Sequence, residues 1–263
     1  MTTLPESQIE ALRELKGLWP EAKVSLIGAS ALTCLLPSFH RQTYDLDVTV
    51  AISLDELPSE LRRLAGWRQD EQLEHRWLTP TGLKVDLIPA GAKLLAAGKL
   101  VWKSGREMSL LGFRHAFTSV SQLELAPGFR VDIASVPVIA LLKMVAYQER
   151  PHDRRKDLGD IALALENYVS DDDPRRYSNE IMEAKISYEE VSPYLLGYDL
   201  AGLVDEMESH SVTRFISLAM GQGDGGMTQA VMRQEAPIPS WREHPDEFDA
   251  ALKAFERGTQ TGR

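Results

Sequence analysis

The segment Asp45-Leu46-Asp47-Val48 decides the fold of this chain, because its acidic and apolar residues alternate. Such alternation predicts a β-strand in which residues i and i+2 point to one face, so Asp45 and Asp47 are expected to project side by side. Neighbouring carboxylates repel and raise each other's pKa, and a strand that serves packing alone gains nothing from them. Mg²⁺ removes this penalty, since it binds carboxylate oxygens and accepts substrate phosphates on its remaining positions. The pair therefore indicates phosphate chemistry.

A strand, a tight turn and a helix are predicted ahead of the acidic strand. Lys23 to Ile27 is a β-prone run that ends at Gly28, and Ala29 to Leu36 predicts a helix that Pro37 stops. A glycine turn followed by a helix N-terminus presents free backbone N–H groups to a phosphate, with the Ser30 hydroxyl as an extra donor. The alternative interpretation is an ordinary turn and helix cap.

A β-hairpin is predicted after the acidic strand. Glu74 to Leu78 and Leu83 to Ile88 flank Thr79-Pro80-Thr81-Gly82, a turn that contains both favoured breakers. Asp86 lies between apolar residues on the second strand. Together with the acidic pair it supplies the three carboxylates that a two-metal phosphoryl or nucleotidyl transfer site requires.

The remaining sequence predicts two domains, residues 1–135 and 136–263. Ser121 to Leu125 and Phe129 to Ile133 predict another hairpin, and from Pro137 onward the pattern is helical. We therefore expect an α/β (α+β) fold, in which a mixed sheet flanked by helices is followed by a mostly helical C-terminal region.

Composition limits the function classes. The 263 residues are 43% hydrophobic and carry a formal net charge of −10, which argues against general affinity for nucleic acids but leaves room for a local basic cleft. No stretch approaches the roughly 20 apolar residues of a membrane helix, and Met1 to Glu10 does not resemble a leader, so a cytoplasmic protein without membrane contact is expected. The single cysteine, Cys34, excludes an internal disulfide and is expected in the core.

The motifs resemble those of the polymerase-β-like nucleotidyltransferase superfamily, and more narrowly the bacterial AbiEii/MenA-type nucleotidyltransferases. The matching segments are Leu26-Ile27-Gly28-Ala29-Ser30, Arg41-Gln42-Thr43-Tyr44-Asp45-Leu46-Asp47-Val48, Val85-Asp86-Leu87, Lys143 and Arg155-Lys156-Asp157-Leu158-Gly159-Asp160. The resemblance covers about residues 20 to 165. Ala29 stands where the superfamily usually has Gly or Ser.

The resemblance implies a role for each matching residue. It implies two Mg²⁺ ions as cofactors and a nucleoside triphosphate as substrate. The implied metal ligands are Asp45, Asp47 and Asp86, which with Lys143 are also the implied catalytic residues. The implied nucleotide-binding residues are Gly28, Ser30, Arg41, Lys156, Asp157 and Asp160.

Each of these residues also has a purely structural interpretation. Asp45 and Asp47 could be solvated acids on an exposed edge strand, and Asp86 could face water. Lys143 could extend to the surface from an apolar helix. The charged cluster Arg154 to Asp160 could be a solvated, mutually paired helix face.

The leading functional hypothesis is nucleotidyl transfer to a hydroxyl acceptor. By family analogy the acceptor is tRNA or another RNA, as for the toxin of a toxin–antitoxin pair with an antitoxin protein as partner. The acidic composition favours a small molecule or a protein instead. The alternatives are an antibiotic-type nucleotidyltransferase that modifies a small hydroxylated compound and a nucleotide-binding module without turnover.

Overall fold

A computed structural model describes residues 4–36 and 43–262 of the chain, and these form two compact units. Each unit is described by itself. The first contains residues 4–35 and 43–139, and the second contains Leu36 and residues 140–262.

The first unit alternates strands and helices. Its elements in chain order are α1 (Glu6–Leu18), β1 (Val24–Ile27), α2 (Gly28–Leu35), β2 (Asp45–Val50), α3 (Glu56–Leu61), β3 (Arg68–Gln69), β4 (Arg76–Leu78), β5 (Lys84–Pro89), α4 (Ala92–Ala97), β6 (Lys99–Val101), β7 (Glu107–Ser109), a 3₁₀ helix (Phe113–Phe117), β8 (Val120–Ala126) and β9 (Phe129–Ala134). Helix α5 (Val136–Glu149) begins in this unit and continues into the second.

A seven-stranded mixed sheet organises the first unit, with the strand order β3-β4-β5-β2-β1-β9-β8. The pairs β1/β9 and β2/β5 are parallel and the other pairs are antiparallel. Both predicted hairpins are present, as β4/β5 and β8/β9. The expected fold class, a mixed sheet with flanking helices and a helical C-terminal region, is confirmed.

Apolar residues that alternate with the acids build the core beneath the sheet. Leu46 and Val48 on β2, and Val85 and Leu87 on β5, are fully buried. Burying one such side chain stabilises the fold by about 1.5–3 kcal/mol. The alternation therefore leaves the acidic positions on the opposite face of both strands. Cys34 is also buried, as predicted, and burial raises the pKa of its thiol to about 11.

One predicted helix is shifted. The sequence predicts a helix from Pro58 to Ala65 with Leu61 and Leu64 inward, whereas α3 spans Glu56–Leu61 and buries Leu57 and Leu61. Proline is tolerated in the first helical turn, where its missing N–H is not needed, so the helix begins before Pro58 and not at it.

The second unit is helical. Its elements after α5 are α6 (Arg155–Asn167), a 3₁₀ helix (Pro174–Tyr177), α7 (Asn179–Glu183), a 3₁₀ helix (Tyr188–Glu190), α8 (Val191–Ala201), α9 (Glu206–Ala219), α10 (Gly226–Glu235), α11 (Pro239–Glu243) and α12 (Pro245–Thr261). Helices α8 and α12 approach so closely that a Cβ atom at Gly258 would lie 2.8 Å from the Tyr198 nitrogen. In the described part of the chain, no helix has both the length and the apolar character to cross a membrane.

Candidate active site

Three predicted site residues share one face of the sheet. The parallel register of β2 and β5 sets Asp47 opposite Asp86. Asp45 precedes Asp47 by two residues on β2, so its side chain projects to the same face. Neighbouring strands are about 4.8 Å apart and alternate residues of one strand about 6.6 Å, so the three carboxylates occupy a small area, called the acid face below. Because β2 lies between β1 and β5, the edge-strand interpretation of Asp45 and Asp47 is wrong.

Gly28 fixes the position of the Asp47 carboxylate. It begins α2 with φ +69°, a left-handed conformation that other residues rarely adopt. A Cβ atom built on Gly28 would lie 2.6 Å from Asp47 Cγ and closer still to Oδ2. The turn between β1 and α2 therefore needs glycine for its backbone angle and for the space that Asp47 occupies.

Ser30 connects the same turn to the start of β2. Its side chain is fully buried, and its Oγ donates a hydrogen bond of 2.9 Å to the backbone carbonyl of Asp45. The sequence predicts this hydroxyl as a phosphate donor, and in the structure it joins α2 to β2. The neighbouring Ala29 is buried as well.

Arg76 is a site residue that the sequence interpretation missed. It lies opposite Asp86 on β4, and its Nε and one terminal nitrogen donate hydrogen bonds of 2.7 and 2.9 Å to the two Asp86 oxygens. The same terminal nitrogen is 3.5 Å from Asp45 Oδ2. The predicted hairpin could have revealed this pair. When its turn pairs Thr79 with Leu83, the antiparallel register sets Arg76 opposite Asp86.

The ion pair is largely shielded from water. The side chains of Arg76 and Asp86 are 19% and 16% exposed, whereas Asp45 is 41% exposed. Hydrogen bonds to Asp86 raise the pKa of Arg76 above its usual range against the lowering effect of burial, and the negative charge of Asp45 adds to this. Asp86 therefore accepts two hydrogen bonds from Arg76 and does not simply face water.

Two further cationic or titratable side chains border the acid face. His75 Nε2 is 3.9 Å from Asp86 Oδ2, and the His75 ring lies 5.7 Å from that of Trp102. Lys84 is exposed and lies opposite Asp45 in the β2/β5 register. The acid face thus combines carboxylates with nearby positive groups.

The carboxylates fit one Mg²⁺ ion better than two. Mg²⁺ is commonly held by one or two carboxylates, and water and phosphate oxygens complete its coordination shell. Asp45 and Asp47 can supply these two carboxylates. Asp86 gives both of its oxygens to Arg76. Among the described residues, no group of three or more His, Cys, Asp or Glu side chains is arranged to hold a metal ion.

Three other predicted residues form a separate group in the second unit. Lys143 Nζ on α5 lies 2.7 Å from Asp157 Oδ1 and 2.8 Å from Asp160 Oδ2, both on α6. All three side chains are buried, so Lys143 does not extend to the surface. Burial alone lowers the pKa of Lys143, but the two carboxylates outweigh it and raise that pKa above its usual range.

The other predicted nucleotide-binding residues lie apart from this group or outside the described chain. Lys156 is exposed on α6. Arg154 lies 3.8 Å from Asp157 Oδ2, at the rim of the buried group. Arg41 lies outside the described residues.

No protein-family model matches this chain, and no curated protein matches it significantly. Among solved structures, that of the antibiotic-resistance factor ANT(2'')-Ia is similar over 57% of this chain and 77% of its own, with 17% identity and a TM-score of 0.38. The crystal structure of an antigenic nucleotidyltransferase-like protein from Paracoccidioides brasiliensis is similar over 96% of this chain and 95% of its own, with 14% identity and a TM-score of 0.44. At identities and TM-scores this low, neither likeness adds weight to the geometry of the acid face.

Proposed function

We propose that this protein is a Mg²⁺-dependent nucleotidyltransferase, which moves a nucleoside monophosphate from a nucleoside triphosphate to a hydroxyl acceptor. The proposal is carried by one observation: Asp47 lies in register with Asp86 on parallel neighbouring strands, and its carboxylate packs against Gly28. The acids therefore adjoin the turn that leads into α2, where backbone N–H groups favour a phosphate.

Each residue of the acid face has a role in this reaction. Asp45 and Asp47 would hold Mg²⁺, which would supply neutralisation of charge on the triphosphate. The acceptor oxygen forms a bond to the α-phosphorus while the bond to pyrophosphate breaks. Asp86 takes the proton of the acceptor hydroxyl, and backbone N–H groups of the turn that begins at Gly28 bind the phosphates. Catalysis then consists mainly of positioning and charge neutralisation.

The formal net charge of −10 argues against an RNA acceptor, but the acidic excess is unevenly divided between the two units. Over the whole sequence, the first unit has 15 Lys and Arg against 16 Asp and Glu, whereas the second has 14 against 23. The unit that carries the acid face is therefore almost neutral. Exposed Lys84 adds a positive charge to this face, which suits a phosphodiester acceptor such as tRNA.

The toxin role extends this proposal. A toxin of the AbiEii/MenA type modifies RNA and is neutralised by an antitoxin protein. Expression in a host without an antitoxin would then arrest growth, and Asp47→Asn would relieve the arrest. Growth arrest that persists in the variant would separate toxicity from nucleotidyl transfer.

Label transfer is the direct test of the function. Each α-labelled nucleoside triphosphate is supplied with Mg²⁺ and total tRNA, and pyrophosphate release is followed in parallel. Wild-type protein is expected to label RNA, and Asp47→Asn is expected to lose at least a hundredfold in rate because transition-state charge is no longer stabilised. Asp55→Asn, an exposed acid of the same unit, is the matched control and should retain activity.

Other outcomes identify the alternatives. Label that moves to an aminoglycoside-like acceptor and not to RNA would favour the small-molecule enzyme. Tight binding of the triphosphate without pyrophosphate release would favour the binding module. Full turnover by Asp47→Asn would contradict the proposal itself.

The catalytic role of Lys143 and the nucleotide-binding roles of Lys156, Asp157, Asp160 and Arg41 remain predictions. Two buried carboxylates already compensate the charge of Lys143, an arrangement that supports the packing of α5 on α6. Lys156 is exposed and keeps its charge available for a phosphate.

A further inference from the structure

Arg76 occupies the place of a cation on the acid face. We propose that it is the resident counter-ion of Asp86 and Asp45 in the metal-free protein, and that a divalent cation binds in competition with it. Arg76 is thus a positioning residue, which orients the Asp86 carboxylate through two hydrogen bonds until the metal binds. The inference rests on the proposed metal site.

The contacts of Arg76 support this assignment. Its fork binds both oxygens of Asp86 at 2.7 and 2.9 Å and reaches Asp45 at 3.5 Å, so one guanidinium connects two strands of the acid face. Two parallel charge-assisted hydrogen bonds are the strongest geometry that a carboxylate and a guanidinium can form. The pair is also mostly shielded from water, so its attraction is only weakly screened.

Competition follows from the use of both Asp86 oxygens. A metal ion that takes an oxygen of Asp86 must replace a charge-assisted hydrogen bond, and a metal ion at Asp45 meets the positive charge of the same guanidinium. Arginine does not deprotonate in proteins, so its charge is lost from the acid face only if the side chain moves.

The competing interpretation is purely structural. Arg76 faces Asp86 across the β4/β5 pair, and a cross-strand ion pair by itself stabilises a hairpin. In that case, removing Arg76 would lower stability without changing the affinity for a metal.

Metal binding without nucleotide distinguishes the two interpretations. Mn²⁺ and Mg²⁺ are titrated calorimetrically into wild-type protein, Arg76→Gln and Arg76→Lys. The matched control is Arg130→Gln, which removes an exposed arginine of the same sheet that pairs with Glu124 at 3.4 Å on the neighbouring strand. Circular dichroism checks that each variant is folded.

We expect Arg76→Gln to bind Mn²⁺ about tenfold more tightly than wild type, which corresponds to about 1.4 kcal/mol. Arg76→Lys should be intermediate, because lysine keeps the charge but lacks the bidentate fork. Arg130→Gln should match wild type. The melting temperature of Arg76→Gln should be lower without metal and should rise more on addition of Mn²⁺.

Unchanged or weaker metal binding in Arg76→Gln would overturn the proposal, and so would a lack of binding in all of the proteins. If the Gln variant does not fold, the Lys variant decides, and affinity equal to that of wild type would overturn the competition. Nucleotidyl transfer is measured separately. If Arg76→Gln binds Mn²⁺ more tightly but wild type shows no transfer, only the proposed function is contradicted. If wild type shows transfer but the Arg76 variants bind Mn²⁺ with the affinity of wild type, only this inference is contradicted.

Discussion

At the scale of single residues, Gly28 is the most constrained position of the acid face. Its φ of +69° costs a residue with a side chain about 1–2 kcal/mol, and the added methyl group would overlap the Asp47 carboxylate. We expect Gly28→Ala to lose about 2–4 kcal/mol of unfolding free energy and most nucleotidyl transfer. Urea denaturation and the label-transfer assay measure the two effects.

Gly128→Ala is the control for this substitution. Gly128 has φ +73°, but a Cβ atom there would meet no atom within 4 Å. The Gly128→Ala variant should lose only the unfolding free energy that the positive φ costs, about 1–2 kcal/mol, and should keep full activity. Equal effects of the two variants on transfer would mean that contact with Asp47 is unimportant.

The buried ion group of the second unit gives a prediction about stability and pH. Lys143→Met would leave Asp157 and Asp160 buried without their nearest cation, and this should cost about 3–5 kcal/mol. In wild type the raised pKa of Lys143 makes its contribution complete below about pH 10 and lost as the pH rises beyond its folded value. The difference in unfolding free energy between wild type and the variant should therefore stay constant between about pH 7 and pH 9.

Denaturation of both proteins across this pH range tests the prediction. Lys156→Met removes an exposed lysine of the same helix, α6, and should change stability by less than about 0.5 kcal/mol. If Lys143→Met costs no more than Lys156→Met, the buried group does not hold α5 against α6.

At the scale of elements, one hydrogen bond joins helix α2 to strand β2. Ser30 Oγ donates to the Asp45 carbonyl in a fully buried position. We expect Ser30→Ala to cost about 1–2 kcal/mol because the carbonyl loses its donor, with a smaller loss of transfer than Asp47→Asn. Thermal unfolding and the kinetics of transfer measure these effects.

Ser25 on β1 is the matched control. It is buried too, and within the described residues its hydroxyl has no hydrogen-bond partner. Ser25→Ala should therefore be neutral or slightly stabilising. A greater loss at Ser25 than at Ser30 would mean that the α2–β2 connection does not depend on this hydroxyl.

At the scale of the whole molecule, the uneven charge of the two units governs encounters with RNA. The first unit is nearly balanced and the second has nine more acidic than basic residues, from 23 against 14. We expect the metal-free protein to bind tRNA with a Kd no tighter than about 10 µM at physiological salt, because few phosphates find a free cation. Fluorescence anisotropy measures this, and a nanomolar Kd would contradict it.

Local sequence patterns suffice to predict the secondary structure and the residue types of the acid face. Alternation of acidic and apolar residues around Asp45 and Asp86 predicts strands with one buried face, because the two-residue period is a property of the extended backbone. Pro and Gly in the turns predict both hairpins, and the apolar pattern after Pro137 predicts helices. These signals lie within a few residues of one another along the chain.

Which of these residues come into contact depends on how the strands assemble into the sheet. Asp47 and Asp86 become neighbours when β2 and β5 pair in parallel, a contact between distant segments whose register no local pattern specifies. The β4/β5 hairpin sets Arg76 opposite Asp86, and the β2/β5 pairing brings Asp45 within reach of the same guanidinium. The close approach of Gly28 to Asp47 follows from the packing of the turn on β2. The sequence therefore predicted the acids of the site and the hairpin on which Arg76 lies. Only the assembled sheet brings Asp45 and Asp47 beside Asp86 and Arg76, because those distances depend on the pairing of distant strands.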